Sequence, residues 1–249
     1  MVVLMTRRPP SITGWCATRI RSGVGTTSGS VRLLGEEVRL CTTWPEAEGA
    51  DLGWPDAVIT QHAELFARFP ARAVKVWWCH QASDRPFIRE GAKLARRHAD
   101  LVAVLSSFQQ QNFQLELGLE SVVMGYGIWR QELAAPRQKD PARLIYSSVP
   151  QRGLEMIPAL FAEIRAHEPA ATIAICSSNQ TWGVPEGDAP FQALFADLRA
   201  MPGVEVLGAL AQRPLYEELA RAAVFFYPST YVETYCLAMG EAMAHLGTR

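Results

Sequence analysis

Two carboxylates near the C-terminal end of the sequence have a spacing that suits a ligand rich in hydroxyl groups. Glu233 and Glu241 are eight residues apart and follow the apolar segment Phe225–Tyr227. If the residues between them are helical, the carboxylates lie about 12 Å apart along the axis and within about 80° in direction. One carboxylate can then hold sugar hydroxyls and the other a ribose diol, because a carboxylate accepts two hydroxyl hydrogen bonds.

The backbone between these two acids adds candidate anion donors. If the helix begins at Thr234, the N–H groups of Thr234, Tyr235 and Cys236 have no helical acceptor and point at anionic oxygens. The simpler alternative is that Glu233 is an acid stabilised by the helix dipole and that Glu241 is a surface charge. Spacing alone does not separate these two interpretations.

The elements that position these residues follow from the hydrophobic pattern. From residue 38 onward, short β-branched runs alternate with segments of helical period, which predicts βαβ units and parallel sheets. The predicted strands are Glu37–Thr42, Asp56–Thr60, Ala73–Cys79, Leu101–Leu105, Ser121–Met124, Arg143–Val149, Ala171–Ser177, Val204–Leu207 and Val224–Tyr227. The predicted helices are Phe87–His98, Phe108–Leu117, Leu154–His167, Pro190–Ala200, Leu215–Ala222 and Thr234–His245.

A polar connector divides this pattern into two halves. Residues 130–142 contain two prolines and no apolar period, which is typical of an interdomain linker. We therefore predict an α/β protein with two Rossmann-like domains, 1–129 and 143–249. The first 35 residues contain five arginines and no acid, which favours either an irregular first βα unit or, alternatively, a transit peptide.

Composition excludes several classes of function. With 24 basic and 25 acidic residues, the net charge of −1 does not provide the basic surface of a nucleic-acid binder. No apolar run approaches the about 18 residues that span a bilayer. Five cysteines without a C-x-x-C pair predict no structural zinc site and a reducing, cytoplasmic environment. The sequence contains neither a G-x-G-x-x-G motif nor a P-loop motif, so no motif in it indicates an NAD enzyme or an ATPase.

The segment PSTYVETYCLAMGEAMA, residues 228–244, resembles the E-x7-E signature of the retaining glycosyltransferases of family 4, which have the GT-B fold. Four further segments are similar to other parts of that family, so the resemblance covers about residues 32–247. They are RLLGEEVRLCTT (32–43), ADLVAVLSSFQQQNF (99–113), VVMGYGIW (122–129) and IYSSVPQRGLEMIPALFAEIRAHEPAATIAI (145–175). Few residues follow the E-x7-E block, so we expect a truncated C-terminal domain.

The resemblance implies roles for individual residues. Arg152 matches the basic residue that binds the donor diphosphate, and Ser147 stands near where the family often has a second cation. His80 matches the histidine that faces the sugar, and His62 is a weaker candidate at the acceptor site. Glu233 and His80 are then catalytic, and Tyr235, Cys236 and Glu241 bind the donor. Taken alone, Arg152 could be a solvated arginine and His80 a structural histidine.

The expected function is therefore transfer of a sugar, with retention, from a nucleoside-diphosphate sugar to an acceptor bound by the first domain. We expect no metal and no cofactor, because a guanidinium and backbone amides can stabilise the departing diphosphate. One alternative is a non-catalytic, sugar-nucleotide-binding remnant of the same fold. A more distant alternative is another GT-B enzyme, such as a sugar-nucleotide epimerase.

Overall fold

The computed structural model describes residues 2–7, 15–20, 29–33, 36–41, 57–69, 71–128 and 138–246, with the backbone alone for 2–41. Residues 130–137 of the predicted linker lie outside the described residues. Contacts between Cα atoms divide the chain into two units, Met1–Tyr126 and Gly127–Arg249. Each unit is built around a β-sheet.

The sheet of the first unit is mixed. Its strands are β1 Val2–Arg7, β2 Trp15–Ile20, β3 Gly29–Leu33, β4 Glu36–Cys41, β5 Ala57–Thr60, β6 Val74–Trp78, β7 Leu101–Val104 and β8 Val122–Val123. They lie in the order β3-β4-β2-β1-β5-β6-β7-β8. The pairs from β5 to β8 are parallel, as the sequence predicts. However, β1 pairs antiparallel with both β2 and β5, whereas a βα unit would place it parallel to its neighbours.

Helices cover the parallel part of this sheet. Helix α1 is Pro86–His98, and α2 is Ser107–Asn112, which continues as a π-helical turn over Phe113–Leu117. The buried positions of α1 recur at three- and four-residue steps and face the sheet. Trp77 and Phe113 pack there with ring centroids 5.8 Å apart. Burial of such rings supplies much of the stability of this core, about 1.5–3 kcal/mol for a Phe.

The sheet of the second unit is entirely parallel. Its strands are β9 Asp140–Ser147, β10 Thr172–Cys176, β11 Val204–Val206 and β12 Ala222–Phe225. They lie in the order β11-β10-β9-β12, so the chain runs from β9 to β11 and then returns to the other side of β9. Strand order therefore reverses between β9 and β12, and such a reversal leaves a crevice at the carboxyl ends of the strands.

Both faces of this second sheet are buried. Its helices are α3 Ile157–His167, α4 Gln192–Ala200, α5 Gln212–Arg221 and α6 Leu237–Leu246. Leu144 and Tyr146 of β9 belong to one hydrophobic cluster, whereas Ile145 between them belongs to a second cluster. This alternation explains why the strands are almost continuously apolar in sequence.

Several boundaries differ from the prediction, among them the start of β9 and the start of α6. Strand β9 begins at Asp140, so residues 140–142 of the predicted linker belong to a strand. Helix α6 begins at Leu237, three residues later than predicted. No helix among the described residues is long and apolar enough to cross a membrane.

Candidate functional site

The loops that follow β9 and β12 meet at the crevice between these two strands. Arg152 lies in the loop after β9, and Glu233 lies in the loop after β12. The Arg152 Nη1 atom is 2.5 Å from Glu233 Oε1. The side chains are 23% and 20% exposed, so the ion pair is largely but not completely shielded from solvent. The structure thus brings together two predicted site residues that are 81 positions apart.

Tyr227 supports the same carboxylate. Its hydroxyl donates a hydrogen bond of 2.6 Å to Glu233 Oε1. Burial raises the pKa of Tyr227, and so does this hydrogen bond, which keeps the phenol protonated. Burial alone would lower the pKa of Arg152, but its contacts with Tyr227 and Glu233 outweigh burial and raise it. At neutral pH, Glu233 therefore faces one cation and one neutral donor.

Aromatic rings orient the Arg152 guanidinium. Its Cζ atom lies 4.3 Å from the ring centroid of Tyr231 and 6.0 Å from that of Trp182. Both distances lie within the range of cation–π attraction. Trp182 comes from a 3₁₀ turn after β10, and its side chain is 59% exposed. Loops after three of the four strands thus contribute to the surroundings of one guanidinium.

The loop that carries Arg152 is held by backbone contacts. The buried Tyr146 hydroxyl lies 3.0 Å from the carbonyl oxygen of Val149 and 3.1 Å from that of Arg152. Gly153 has φ +95°, a region that L side chains rarely adopt. A Cβ atom at Gly153 would overlap the carbonyl oxygen of Pro228. Glycine therefore allows the two loops of the site to touch.

Replacement of Gly153 by alanine is expected to destabilise the protein by about 2–5 kcal/mol. Positive φ costs about 1–2 kcal/mol for a side chain, and the overlap with Pro228 adds about 1–3 kcal/mol. Gly183→Ala is the matched control, because Gly183 has φ +76° but open space around its Cβ position. Urea unfolding of both variants measures the difference. Equal losses would show that the contact with Pro228 is unimportant.

Glu241 is held by helix α5. Its Oε1 atom accepts hydrogen bonds from Gln212 Nε2 at 2.7 Å and from the Tyr216 hydroxyl at 3.0 Å. It is therefore not a solitary surface charge.

The start of α6 requires a correction. The Gly240 N–H donates to the carbonyl of Cys236 at 3.1 Å, which is the first bond of the helix. Thr234, Tyr235 and Cys236 therefore precede the first turn, and the prediction that their amides are helical amides is wrong. Burial raises the pKa of the Cys236 thiol. Because its carbonyl accepts the first bond of the helix, Cys236 occupies the N-cap position.

Ser147 lies at the carboxyl end of β9, where it is 7% exposed and opposite Cys176 of β10. This places it at the same edge of the sheet as Arg152. In the described part of the chain, no group of three or more His, Cys, Asp and Glu residues is arranged to hold a metal ion.

His80 lies in the first unit, directly beyond β6. Its Nδ1 atom is 2.5 Å from Gln61 Nε2 and 2.5 Å from the Tyr126 hydroxyl. The edge of the imidazole contacts Trp78, with centroids 4.7 Å apart. Burial lowers the pKa of His80 to about 4. The imidazole is therefore neutral at pH 7, with one ring nitrogen as a hydrogen-bond donor and the other as an acceptor.

His62 lies at the end of the neighbouring strand β5. Its side chain is 41% exposed, and Nδ1 is 3.0 Å from Glu64 Oε1. Its backbone N–H donates to Thr60 Oγ1 at 2.9 Å. The residue before it, Gln61, contacts His80 through its side-chain amide.

Several residues of the two clusters were not predicted from the sequence. In the second unit they are Tyr227, Tyr231 and Trp182, and in the first unit they are Gln61 and Tyr126. A sequence signal exists for part of this set: two tyrosines lie within six residues before Glu233, directly after an apolar strand. Aromatic residues in such a place pack over polar groups at a strand end.

Comparison with known proteins gives similarity of fold. No family model and no curated protein matches the chain. Anabaena HepE, solved in complex with UDP and glucose, has a TM-score of 0.61 at 17% identity over 77% of this chain and 57% of its own. Sucrose-phosphate synthase from Thermosynechococcus elongatus has a TM-score of 0.62 at 16% identity, over 80% and 56%. The chain thus spans less than two thirds of either.

A third similar structure matches a larger share of this chain and of its own chain than the first two do. The catalytic domain of starch synthase IV from Arabidopsis thaliana, bound to ADP and acarbose, has a TM-score of 0.56 at 12% identity. The match covers 98% of this chain and 69% of that one. These similarities show that the chain has the α/β fold of GT-B type, with two Rossmann-like units. At this level of identity they concern the fold alone.

Proposed function

We propose that this protein is a glycosyltransferase that binds a nucleoside-diphosphate sugar in the crevice of its second unit. The main support is the meeting of Arg152 and Glu233 where the strand order reverses. Sugar transfer breaks the bond between the sugar and the diphosphate. A cation at this place suits the diphosphate, and an acid beside it suits the hydroxyls of the sugar. The similarity of fold to sucrose-phosphate synthase and starch synthase IV agrees with this proposal.

The roles of the residues follow from their charges. Arg152 binds the diphosphate, because its planar guanidinium can hold two phosphate oxygens at once. Glu233 holds hydroxyls of the transferred sugar, and Tyr227 orients it. Glu241 accepts the ribose diol, while Ser147, Tyr235 and Cys236 line the donor site. No metal is needed in this scheme, because Arg152 and backbone amides stabilise the leaving diphosphate.

The acceptor is proposed to bind at the first unit, near the carboxyl ends of β5 and β6. His80 is the proposed catalytic residue there, and His62 is a candidate contact for the acceptor. The neutral imidazole of His80 suits a hydrogen bond to a sugar hydroxyl, because its pKa of about 4 leaves it uncharged at pH 7. Retention of configuration is proposed from the similarity of the E-x7-E segment to family 4.

The proposal is tested with UDP, GDP and ADP and with their glucose, mannose and N-acetylglucosamine derivatives. Calorimetry measures binding, and mass spectrometry detects transfer to a panel of sugar and lipid-linked acceptors. Selective binding of one base, together with transfer, supports a transferase. Binding without transfer or hydrolysis would favour the non-catalytic alternative, and interconversion of donor sugars would favour an epimerase. Failure of all nucleotides to bind would reject the proposal.

Replacement of Glu241 by alanine is expected to weaken the binding of a nucleoside diphosphate by about 1–3 kcal/mol, because the ribose diol loses its acceptor. The corresponding 2′,3′-dideoxy nucleotide should bind both proteins equally, since it has no diol. Glu163→Ala, an exposed acid on α3, is the control. Calorimetry with the natural nucleotide measures the effect. An unchanged affinity would remove Glu241 from the donor site.

A further inference from the structure

Gln109 joins two loops of the first unit through one buried side chain. It lies in the first turn of α2 and is only 1% exposed. Its Oε1 atom accepts a hydrogen bond from the Leu105 N–H at 2.8 Å. Its Nε2 atom donates to the carbonyl oxygen of Cys79 at 3.1 Å and to that of Gln81 at 2.8 Å. Both hydrogens and one lone pair of the side-chain amide are thus used within the protein.

The two accepting carbonyls belong to the residues on either side of His80. Cys79 is also tied to β7, because its N–H donates to the Ala103 carbonyl at 2.9 Å. The backbone around His80 is therefore fixed by α2 and β7 together. These bonds fix the point from which the His80 side chain extends, and the contacts with Gln61 and Tyr126 set the direction of its ring.

Helix capping alone does not explain a glutamine at this position. The Ser106 hydroxyl accepts from the Gln109 N–H at 3.2 Å, which is half of a capping box. The other half needs only a side-chain acceptor at position 109, and a glutamate would provide it equally well. A glutamate could not donate to Cys79 and Gln81, whereas a glutamine has two N–H hydrogens for this purpose.

We infer that Gln109 is a positioning residue for His80: its amide holds the carbonyls of Cys79 and Gln81 and thereby fixes the imidazole against Gln61 and Tyr126. This inference rests on the proposed function only for the statement that His80 meets a substrate. The hydrogen bonds themselves do not depend on which substrate is bound. Loss of the amide should therefore change the surroundings and the titration of the His80 imidazole even in the absence of any ligand.

The test is Gln109→Met in the full chain, with the titration of the His80 imidazole followed by NMR. Methionine has a similar length but cannot donate to either carbonyl. The expected result is a rise in the pKa of His80 from about 4 by at least about one unit, because a loosened loop admits water to the ring. Tyr126 and Cys79 stay uncharged in this range, since burial raises the pKa of each to about 12.

Gln111→Met is the matched control, because Gln111 lies on the same helix with an exposed side chain. It should leave the His80 titration unchanged. If transfer activity is found, Gln109→Met should lower kcat by about tenfold without changing KM for the donor, which binds the second unit. A folded Gln109→Met protein whose His80 titrates as in the parent would overturn the inference, whether or not the protein is a transferase.

A measurement on the unaltered protein decides the matter if Gln109→Met does not fold. Hydrogen exchange of side-chain amides can be followed for Gln109 and Gln111 in one NMR experiment. Both Gln109 N–H hydrogens should exchange at least about 100-fold more slowly than those of Gln111, because they are buried and bonded to carbonyls. Equal exchange rates would overturn the inference.

Discussion

Replacement of Glu233 by glutamine is expected to lower kcat by about 100-fold, because the transferred sugar loses the carboxylate that positions it. The same change should leave the affinity for a nucleoside diphosphate unaltered or raise it by up to about fivefold. The reason is that Glu233 forms an ion pair with the Arg152 guanidinium, which a bound diphosphate has to replace. A partly exposed ion pair of this kind is worth about 0–1 kcal/mol, and the diphosphate no longer has to displace it.

Steady-state kinetics and calorimetry measure these two effects separately. Glu217→Gln is a suitable control, since Glu217 is a partly exposed acid on α5 that pairs with Arg213. Tyr227→Phe should reproduce part of the kinetic loss, because it removes one hydrogen bond from Glu233 and retains the ring. An unchanged kcat for Glu233→Gln would exclude Glu233 from the catalytic step. A large loss of nucleotide affinity would mean that its contact with Arg152 serves the architecture of the site.

Much of the parallel architecture is predictable from hydrophobic pattern. The predicted strands Ala73–Cys79 and Ala171–Ser177 differ from β6 and β10 by one residue at each end. Both strands are covered on two faces, so their residues are apolar almost without interruption and their limits are sharp. The pairing of β1 is a different matter. A short apolar run predicts a strand, but it does not specify that the neighbours of this strand are antiparallel.

The sequence indicates Arg152 and Glu233 as candidate site residues, but it does not predict their contact with each other or with Tyr227. Arg152 and Glu233 each follow a predicted strand, so their common edge of the sheet can be inferred. Their direct contact depends on the register of two loops and on the close approach that Gly153 allows. The predicted helix from Thr234 fails for a related reason. Tyr227 and Arg152 hold Glu233 in an extended loop, and this tertiary contact overrides the helical pattern that follows it.

Replacement of Arg152 by alanine is expected to weaken the binding of a nucleoside diphosphate by about 10- to 100-fold, because hydrogen bonds to charged groups contribute about 1.5–3 kcal/mol. The affinity for the nucleoside without phosphates should be unchanged. Lysine should restore only part of the loss, since it keeps the charge but lacks the planar fork and the stacking on Tyr231. Arg199→Ala, an exposed arginine on α4, is the control. Equal losses for nucleoside and diphosphate would place Arg152 away from the phosphates.

The carboxylate left behind by this change provides a second, sharper test. In Arg152→Ala, Glu233 keeps its negative charge without its cation and repels the diphosphate, so part of the loss comes from repulsion. The double variant Arg152→Ala with Glu233→Gln removes both charges, and it should bind the diphosphate more tightly than Arg152→Ala alone. Its affinity should still be below that of Glu233→Gln, because the guanidinium is absent. Calorimetry on the four proteins of this cycle gives the coupling between the two residues. Strictly additive effects would show that Arg152 and Glu233 act on the ligand independently, contrary to their contact in the structure.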